Sequence, residues 1–171
     1  PGLIIDRYED HLVIQTLTLG MDLRINEITE AIKKLSSPKS IITRNDSPIR
    51  AAEGLKMETN IIEGCPPEVI QLEHFNIPFS INLLSGQKTG LYLDQLHNYK
   101  LVGELASNKR VLDCFTNQGG FAMSCLLNGA IEATGIDISE TAIKSSEANS
   151  SKINNKNSKW IKGNVFDLLK S

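Results

Sequence analysis

The chain has 171 residues, 40% hydrophobic and 22% charged, an ordinary globular composition that argues against disorder and permits a real core. Its formal charge of −2 gives no global attraction to nucleic acid, so any RNA contact must come from a local basic patch. No run approaches the roughly 20 apolar residues of a membrane helix and no signal segment opens the chain. The three cysteines form no CxxC pair, which predicts a reducing, cytoplasmic setting. A first residue of proline and a helix-like run reaching Ser171 predict a piece of a longer protein.

Leu3 to Leu17 predicts two short strands around a Glu9-Asp10 turn. Leu23, Ile25, Ile28, Ile32 and Leu35 recur at helical spacing up to Ser36-Ser37-Pro38. Ser40 to Arg44 predicts a strand, Ser47-Pro48 opens a short helix through Leu55, and Glu63 to Pro67 is a loop. Val69 to Leu72 and Ile77 to Leu84 predict a strand pair with His74-Phe75-Asn76 at its turn. This first half shows no βαβ rhythm and is expected to be an α+β module.

After Gly86 the pattern changes. A polar loop enters a helix carrying Leu93, Leu96, Leu101, Val102 and Leu105. Three strand–helix units follow: Val111 to Phe115 with Phe121 to Leu127, Ile131 to Ile136 with Ser139 to about Asn154, and Lys159 to Lys162 with Val165 to Leu169. Such a repeat predicts a parallel sheet. The expected domains are residues 1–84 and 85–171.

Three features fall at successive strand ends. Gly119-Gly120 offers close backbone approach at a helix start. Asp137 closes the second strand, where a carboxylate accepts ribose hydroxyls. Asn164 follows the third, where an amide meets an adenine edge. The loop lacks the G-x-G-x-x-G pattern, and Asp113 before it would repel a pyrophosphate while pairing with an ammonium. The combination suits S-adenosylmethionine better than a dinucleotide.

The segments Gly86-Gln-Lys-Thr-Gly-Leu-Tyr-Leu-Asp-Gln, Val111-Leu-Asp-Cys-Phe-Thr-Asn-Gln-Gly-Gly-Phe, Gly135-Ile-Asp-Ile-Ser and Gly163-Asn-Val-Phe resemble class I methyltransferases that modify cytosine C5 in large-subunit ribosomal RNA. Pro1 to Tyr8 resembles the start of that family's central domain, which follows a PUA domain. The resemblance implies an α+β central module followed by the first half of an α/β Rossmann-like domain. It implies that Asp113, Phe115, Thr116 and Gly119 hold the methionine end of S-adenosylmethionine. By the same resemblance Asp137 takes the ribose, Ile138, Asn164 and Val165 frame the adenine, and Lys88, Tyr92, Asp94 and Gln95 close the pocket. Leu96 and Tyr99 stand where the family usually carries arginine. The implied partner is large-subunit ribosomal RNA, with a homodimer possible and no membrane.

Cytosine C5 chemistry needs a thiolate at C6, and the family's nucleophile lies downstream of Ser171, so the catalytic residue is unknown here. Cys65 has no basic neighbour in sequence, Cys114 fits a small strand-end hydrophobe and Cys125 a helix core. His11, His74 and His97 have no metal-ligand spacing. Trp160 is expected in the core of the third strand. Lys144, Lys152, Lys156, Lys159 and Lys162, interleaved with serines and asparagines, are expected on a solvated surface. Two alternatives stay open: a guanine N-methyltransferase of RNA, and a non-catalytic RNA-binding module keeping the fold.

Overall fold

The computed structural model describes residues 2–86 and 88–170. Pro1 and Gln87, each part of a motif segment quoted above, and Ser171 lie outside the described residues. The chain divides into two compact units, Pro1–Ile70 with Ile81–Leu91 and Gln71–Ser80 with Tyr92–Ser171. Residues 71–80 thus group with the second unit, although the sequence rhythm places them in the first module.

In the first unit, β1 (Leu3–Tyr8) and β2 (His11–Thr16) form an antiparallel hairpin, with Leu3 opposite Thr16 and Tyr8 opposite His11. The chain crosses through α1 (Leu19–Asp22) and α2 (Ile25–Ser36) to β3 (Ser40–Asn45), which runs parallel to β2. This is a βαβ unit, so the expected absence of βαβ rhythm in the first half is corrected. A single crossover leaves no repeat along the chain to detect. β4 (Glu58–Gly64) pairs antiparallel with β3 and completes the order β1-β2-β3-β4. Its face does not alternate, since Ile61 and Ile62 are both largely exposed, and the sequence pattern left that strand unmarked.

Ile25, Ile28 and Ile32 pack on Leu12, Ile14 and Ile41, as spacing of three and four residues dictates for one helix face. Leu23 and Leu35, which spacing places on that stripe, are 75% and 86% exposed. Leu23 precedes the helix and Leu35 lies in its last turn. Pro48 starts a 3₁₀ helix through Glu53, where its missing N–H costs nothing.

β5 (Ile70–His74) and β6 (Ile77–Ile81), which but for Ile70 and Ile81 belong to the second unit, form a hairpin whose second strand ends three residues before the expected Leu84. A 3₁₀ turn at Leu93–Gln95 leads into α3 (Leu96–Glu104). Then follow β7 (Arg110–Cys114), α4 (Gly120–Leu127), β8 (Glu132–Asp137), α5 (Glu140–Ser150), β9 (Ser158–Lys162) and α6 (Val165–Leu168). The three strands are parallel in the order β7-β8-β9, with Cys114 opposite Ile136 and Ile136 opposite Ile161. Their carboxyl ends therefore deliver Phe115, Ile138 and Gly163 to one edge, the edge where this architecture binds ligands. Among the described residues no helix is long and apolar enough to cross a membrane.

Candidate cofactor-binding site

The loop between β7 and α4 concentrates left-handed backbone. Phe115, Asn117 and Gly119 all have positive φ, at +62°, +50° and +82°. Glycine tolerates that region, whereas phenylalanine there is a true outlier of the kind that collects at functional sites. The surroundings hold the loop in place. Thr116 donates its N–H to the Ile136 carbonyl, and Gly119 donates back to Thr116. From α5, Ser146 Oγ donates to the Asn117 carbonyl at 2.8 Å, and Asn149 Nδ2 to that of Gln118 at 3.4 Å.

Ser146, Asn149 and Ser150 are buried, which corrects the expectation that the serines and asparagines of this region are solvated surface. With Ala142 and Ile143 they follow helical spacing, so α5 turns a polar stripe inward because its neighbour is a loop full of backbone carbonyls. That spacing was the available signal. The lysines themselves do lie outside: Lys162 and then Lys144 pair with Glu140, holding its carboxyl down to about 2.

Glycine at 119 has a further cause. A Cβ there would lie 2.6 Å from Trp160 Cη2, and one on Gly135 2.4 Å from Cζ3 of the same ring. Trp160 spans two strand ends, its indole N–H donating to Ser150 Oγ at 2.9 Å. It is half-buried rather than a full core residue, as expected of a large ring serving as a wedge.

Asp113 and Asp137 end adjacent strands. Asp113 Oδ2 accepts the Thr116 hydroxyl at 2.5 Å and the Ala122 N–H at 3.1 Å. Gly119 brings no capping side chain to α4, so the strand carboxylate caps the helix instead. Burial raises the Asp113 carboxyl above its usual range, and the charge of Asp137 raises it further. Asp137 accepts from Asn117 N–H through Oδ2 and from Ser139 N–H through Oδ1, both at 2.9 Å. Two carboxylates that repel across one small site favour a cationic ligand and disfavour a pyrophosphate. S-adenosylmethionine, with its ammonium and sulfonium, fits that charge.

The remaining expected residues fall as follows. Ile138 is 70% exposed at the end of β8, and Phe115 60% exposed at the end of β7. Asn164 caps α6, its Oδ1 accepting from Phe166 N–H at 3.0 Å, and Val165 is buried. Phe166, which motif reading passed over, meets Phe115 with centroids 5.8 Å apart. Tyr92, Asp94 and Gln95 border the 3₁₀ turn before α3. Tyr99 links them to the loop: its hydroxyl is pushed up to about 12 by burial, then by Asp113, Asp94 and Tyr92. Its ring lies edge-on to Phe121 at 4.6 Å and so close to Gly120 that a Cβ there would be 2.6 Å from its Cζ. Tyr99 is therefore a packing residue, at a position where the resemblance implies an arginine.

Lys88 belongs to the first unit, with φ +50°. Its loop is fixed from within that unit. The buried Arg44 guanidinium donates to the carbonyls of Leu83, Ser85 and Gly86 and pairs with Asp46 at 2.7 Å. Tyr8 and Asp6 secure Thr89.

The three cysteines are all free. Cys125 is buried, and burial followed by Asp113 pushes its thiol up. Cys65 is exposed and Cys114 half-buried. Among the described residues no group of three or more His, Cys, Asp or Glu side chains could hold a metal ion.

A family model described as S-adenosylmethionine-dependent methyltransferase matches residues 54–171. The ribosomal RNA large subunit methyltransferase I of Tolumonas auensis is 39% identical over 99% of this chain and 44% of that protein. Its namesake from Aeromonas salmonicida is 38% identical with the same coverage. The chain thus spans less than half the length of these relatives. Among solved structures, a Streptococcus mutans protein classed as a SAM-dependent methyltransferase superposes with a TM-score of 0.83 at 22% identity, over 99% of this chain and 44% of that one. The tRNA m1G37 methyltransferase of M. jannaschii gives 0.69 at 20% identity, over 95% and 48%. Both share its mixed architecture of sheets and helices. The chain belongs to the S-adenosylmethionine-dependent methyltransferase family.

Proposed function

We propose that the full protein transfers a methyl group from S-adenosylmethionine to cytosine C5 of large-subunit ribosomal RNA, in the cytoplasm. The observation that carries the cofactor half is the pair of repelling carboxylates, Asp113 and Asp137, on adjacent strand ends around the glycine loop. The RNA half rests on the named activity of relatives at 38 and 39% identity.

In this reading residues 1–84 form the central module and 85–171 the first half of the Rossmann-like domain. Asp113, Phe115, Thr116 and Gly119 receive the methionine end and Asp137 the ribose hydroxyls. Ile138, Asn164 and Val165 frame the adenine, and Tyr92, Asp94 and Gln95 border the pocket. Lys88 is assigned on the motif resemblance alone. When bound, the cofactor supplies an electrophilic methyl group on a sulfonium. A thiolate must add at C6 to make C5 nucleophilic, and the proton lost from C5 must be taken up as the thiolate leaves. We assign that thiolate to none of Cys65, Cys114 and Cys125.

Calorimetry of the full-length protein against S-adenosylmethionine and NAD tests the cofactor; tight binding of NAD instead would overturn it. Incubation with undermethylated large-subunit RNA, followed by nucleoside mass spectrometry, tests the target. The expected product is 5-methylcytidine. N-methylguanosine would select the guanine alternative, and cofactor binding without product the non-catalytic one.

A further inference from the structure

Phe75 and Asn76 alone join β5 to β6, with φ of +51° and +62°. Consecutive positive φ values are the signature of a type I′ hairpin turn, whose favoured residues are asparagine, aspartate and glycine. Asn76 suits this; Phe75 does not, and a bulky residue in the left-handed region strains the backbone. Burial does not offset the strain, because the ring is 44% exposed. His74 instead meets it edge-on, centroids 4.3 Å apart, and Lys100 from α3 places Nζ 5.4 Å from the ring centre. An open groove of about 310 Å³ borders the turn, its polar lining of Gln71, Glu73, Asn76 and Lys152 interleaved with the apolar Leu72, Pro78 and Ile153. Lys152 is held there by Gln71 and by Ser80 Oγ.

We infer that this hairpin tip is a contact for single-stranded RNA, with Phe75 stacking on one base and Lys100 and Lys152 meeting the flanking phosphates. This rests on the RNA-modifying reading above. An aromatic ring held rigid beside cations and amide groups is the combination that binds unpaired nucleotides, since every base offers a face to stack and every linkage a charge. A protein partner would ask for apolar neighbours around the ring, and here the neighbours are His74, Asn76 and Lys100. Glu73 lies in the groove lining with Lys152, and Glu104 sits 3.9 Å from Lys100, so the two lysines are matched by two carboxylates and the exposed ring carries the contact. In a duplex the base faces are hidden, so the contact selects single strands. With a formal chain charge of −2, contact with RNA has to be local, and the stacking face of Phe75 places it at this tip.

A stacking role and a structural role predict opposite signs. In the full-length protein, Phe75→Asn combined with Asn76→Gly installs the favoured turn sequence and should raise Tm by roughly 2–4 °C. The same variant should weaken binding of a fluorescein-labelled single-stranded 12-nucleotide RNA, read by anisotropy, on the order of 5- to 100-fold. Phe75→Trp should retain that affinity, and S-adenosylmethionine titration should be unchanged in both variants. Undiminished single-strand affinity in the Asn-Gly variant would overturn the inference. So would an equal loss for the duplex, or no single-strand binding by the wild type. Failure of the wild type to bind S-adenosylmethionine would strike the proposed function instead, and the two failures are separable.

Discussion

The carboxylate of Asp113 caps the helix that follows it, accepting the Ala122 N–H at 3.1 Å across the whole glycine loop. One side chain thus closes the loop and sets the charge of the site. The two roles have different requirements, because the cap needs only an acceptor whereas a cationic ligand needs the charge. Asp113→Asn keeps the shape and an acceptor. Burial raises the wild-type carboxyl above 3.8, so the folded chain holds this proton to higher pH than the unfolded one. Its contribution to stability is therefore most favourable at acid pH and declines as pH rises through the folded pKa. The asparagine variant lacks this dependence, so its stability relative to wild type should grow from pH 4 to pH 7. Its affinity for S-adenosylmethionine should fall by about 10- to 100-fold, the scale of one hydrogen bond to a charged group. Asp113→Ala should instead lose about 1 kcal/mol of stability with the cap. Thermal melts across pH and calorimetry check both; an asparagine variant with wild-type affinity would remove Asp113 from the cofactor contacts.

Gly135 and Trp160 should prove strongly coupled. A Cβ at 135 would come within 2.4 Å of the indole and 2.9 Å of Thr116 Oγ1, in a strand too buried to yield. Gly135→Ala should cost about 1–3 kcal/mol, the usual scale of overpacking. Trp160→Leu should cost stability alone yet remove most of the alanine's penalty, because it relieves the two closest contacts and leaves only that to Thr116 Oγ1. Urea denaturation of the four proteins gives the coupling energy directly. Additive losses would mean that the indole does not enforce the glycine.

Much of this was legible in the sequence, and the exceptions share a cause. The three strand–helix units of the second half announced themselves because hydrophobic period and glycine punctuation agree there. Asp113 and Asp137 stand out because one breaks an apolar run just before the glycine loop and the other closes the next. β4 was missed because an exposed edge strand has no alternating face, and the parallel pairing of β2 with β3 because one crossover makes no repeat. Residue type puts Ser146 and Asn149 on the surface, although their spacing marks a buried face. Polarity misleads wherever the neighbouring element is itself a polar loop. Phe75 was read simply as part of a turn, since one sequence cannot reveal that its φ is positive.

The proton order around Tyr8 can be deduced. Thr89 donates its hydroxyl to Asp6 Oδ2 at 2.6 Å, so the 2.9 Å contact with Tyr8 must run from the phenol to Thr89. Tyr8 then accepts the Leu91 N–H at 3.0 Å with a lone pair. Burial raises the phenol pKa, which keeps its donor proton in place. Tyr8→Phe would leave a buried amide without its acceptor, at a cost of about 1–3 kcal/mol. The loss should appear locally, as faster hydrogen exchange at the Leu91 amide with little change in β2. Unchanged exchange at Leu91 would show that the tyrosine only fills space.

The described part of the second sheet carries β7 at its edge, and that strand does not blunt itself. Leu112 is 49% exposed, and with Val111, Ile136, Ile161, Leu168 and Leu169 it lines an open cleft of about 400 Å³. Edge strands usually protect themselves with charges or bulges. Here Arg110, paired with Glu132 at 2.5 Å, marks only the start of the strand. The 171 residues expressed alone should therefore self-associate at micromolar concentration, through this edge or the apolar face beside it. Leu112→Lys places a charge in the cleft and should shift the population towards monomer, with the far-ultraviolet circular dichroism unchanged. Light scattering across a dilution series reads the outcome. A wild-type chain that stays monomeric throughout would mean that the exposed face of β7 is not adhesive.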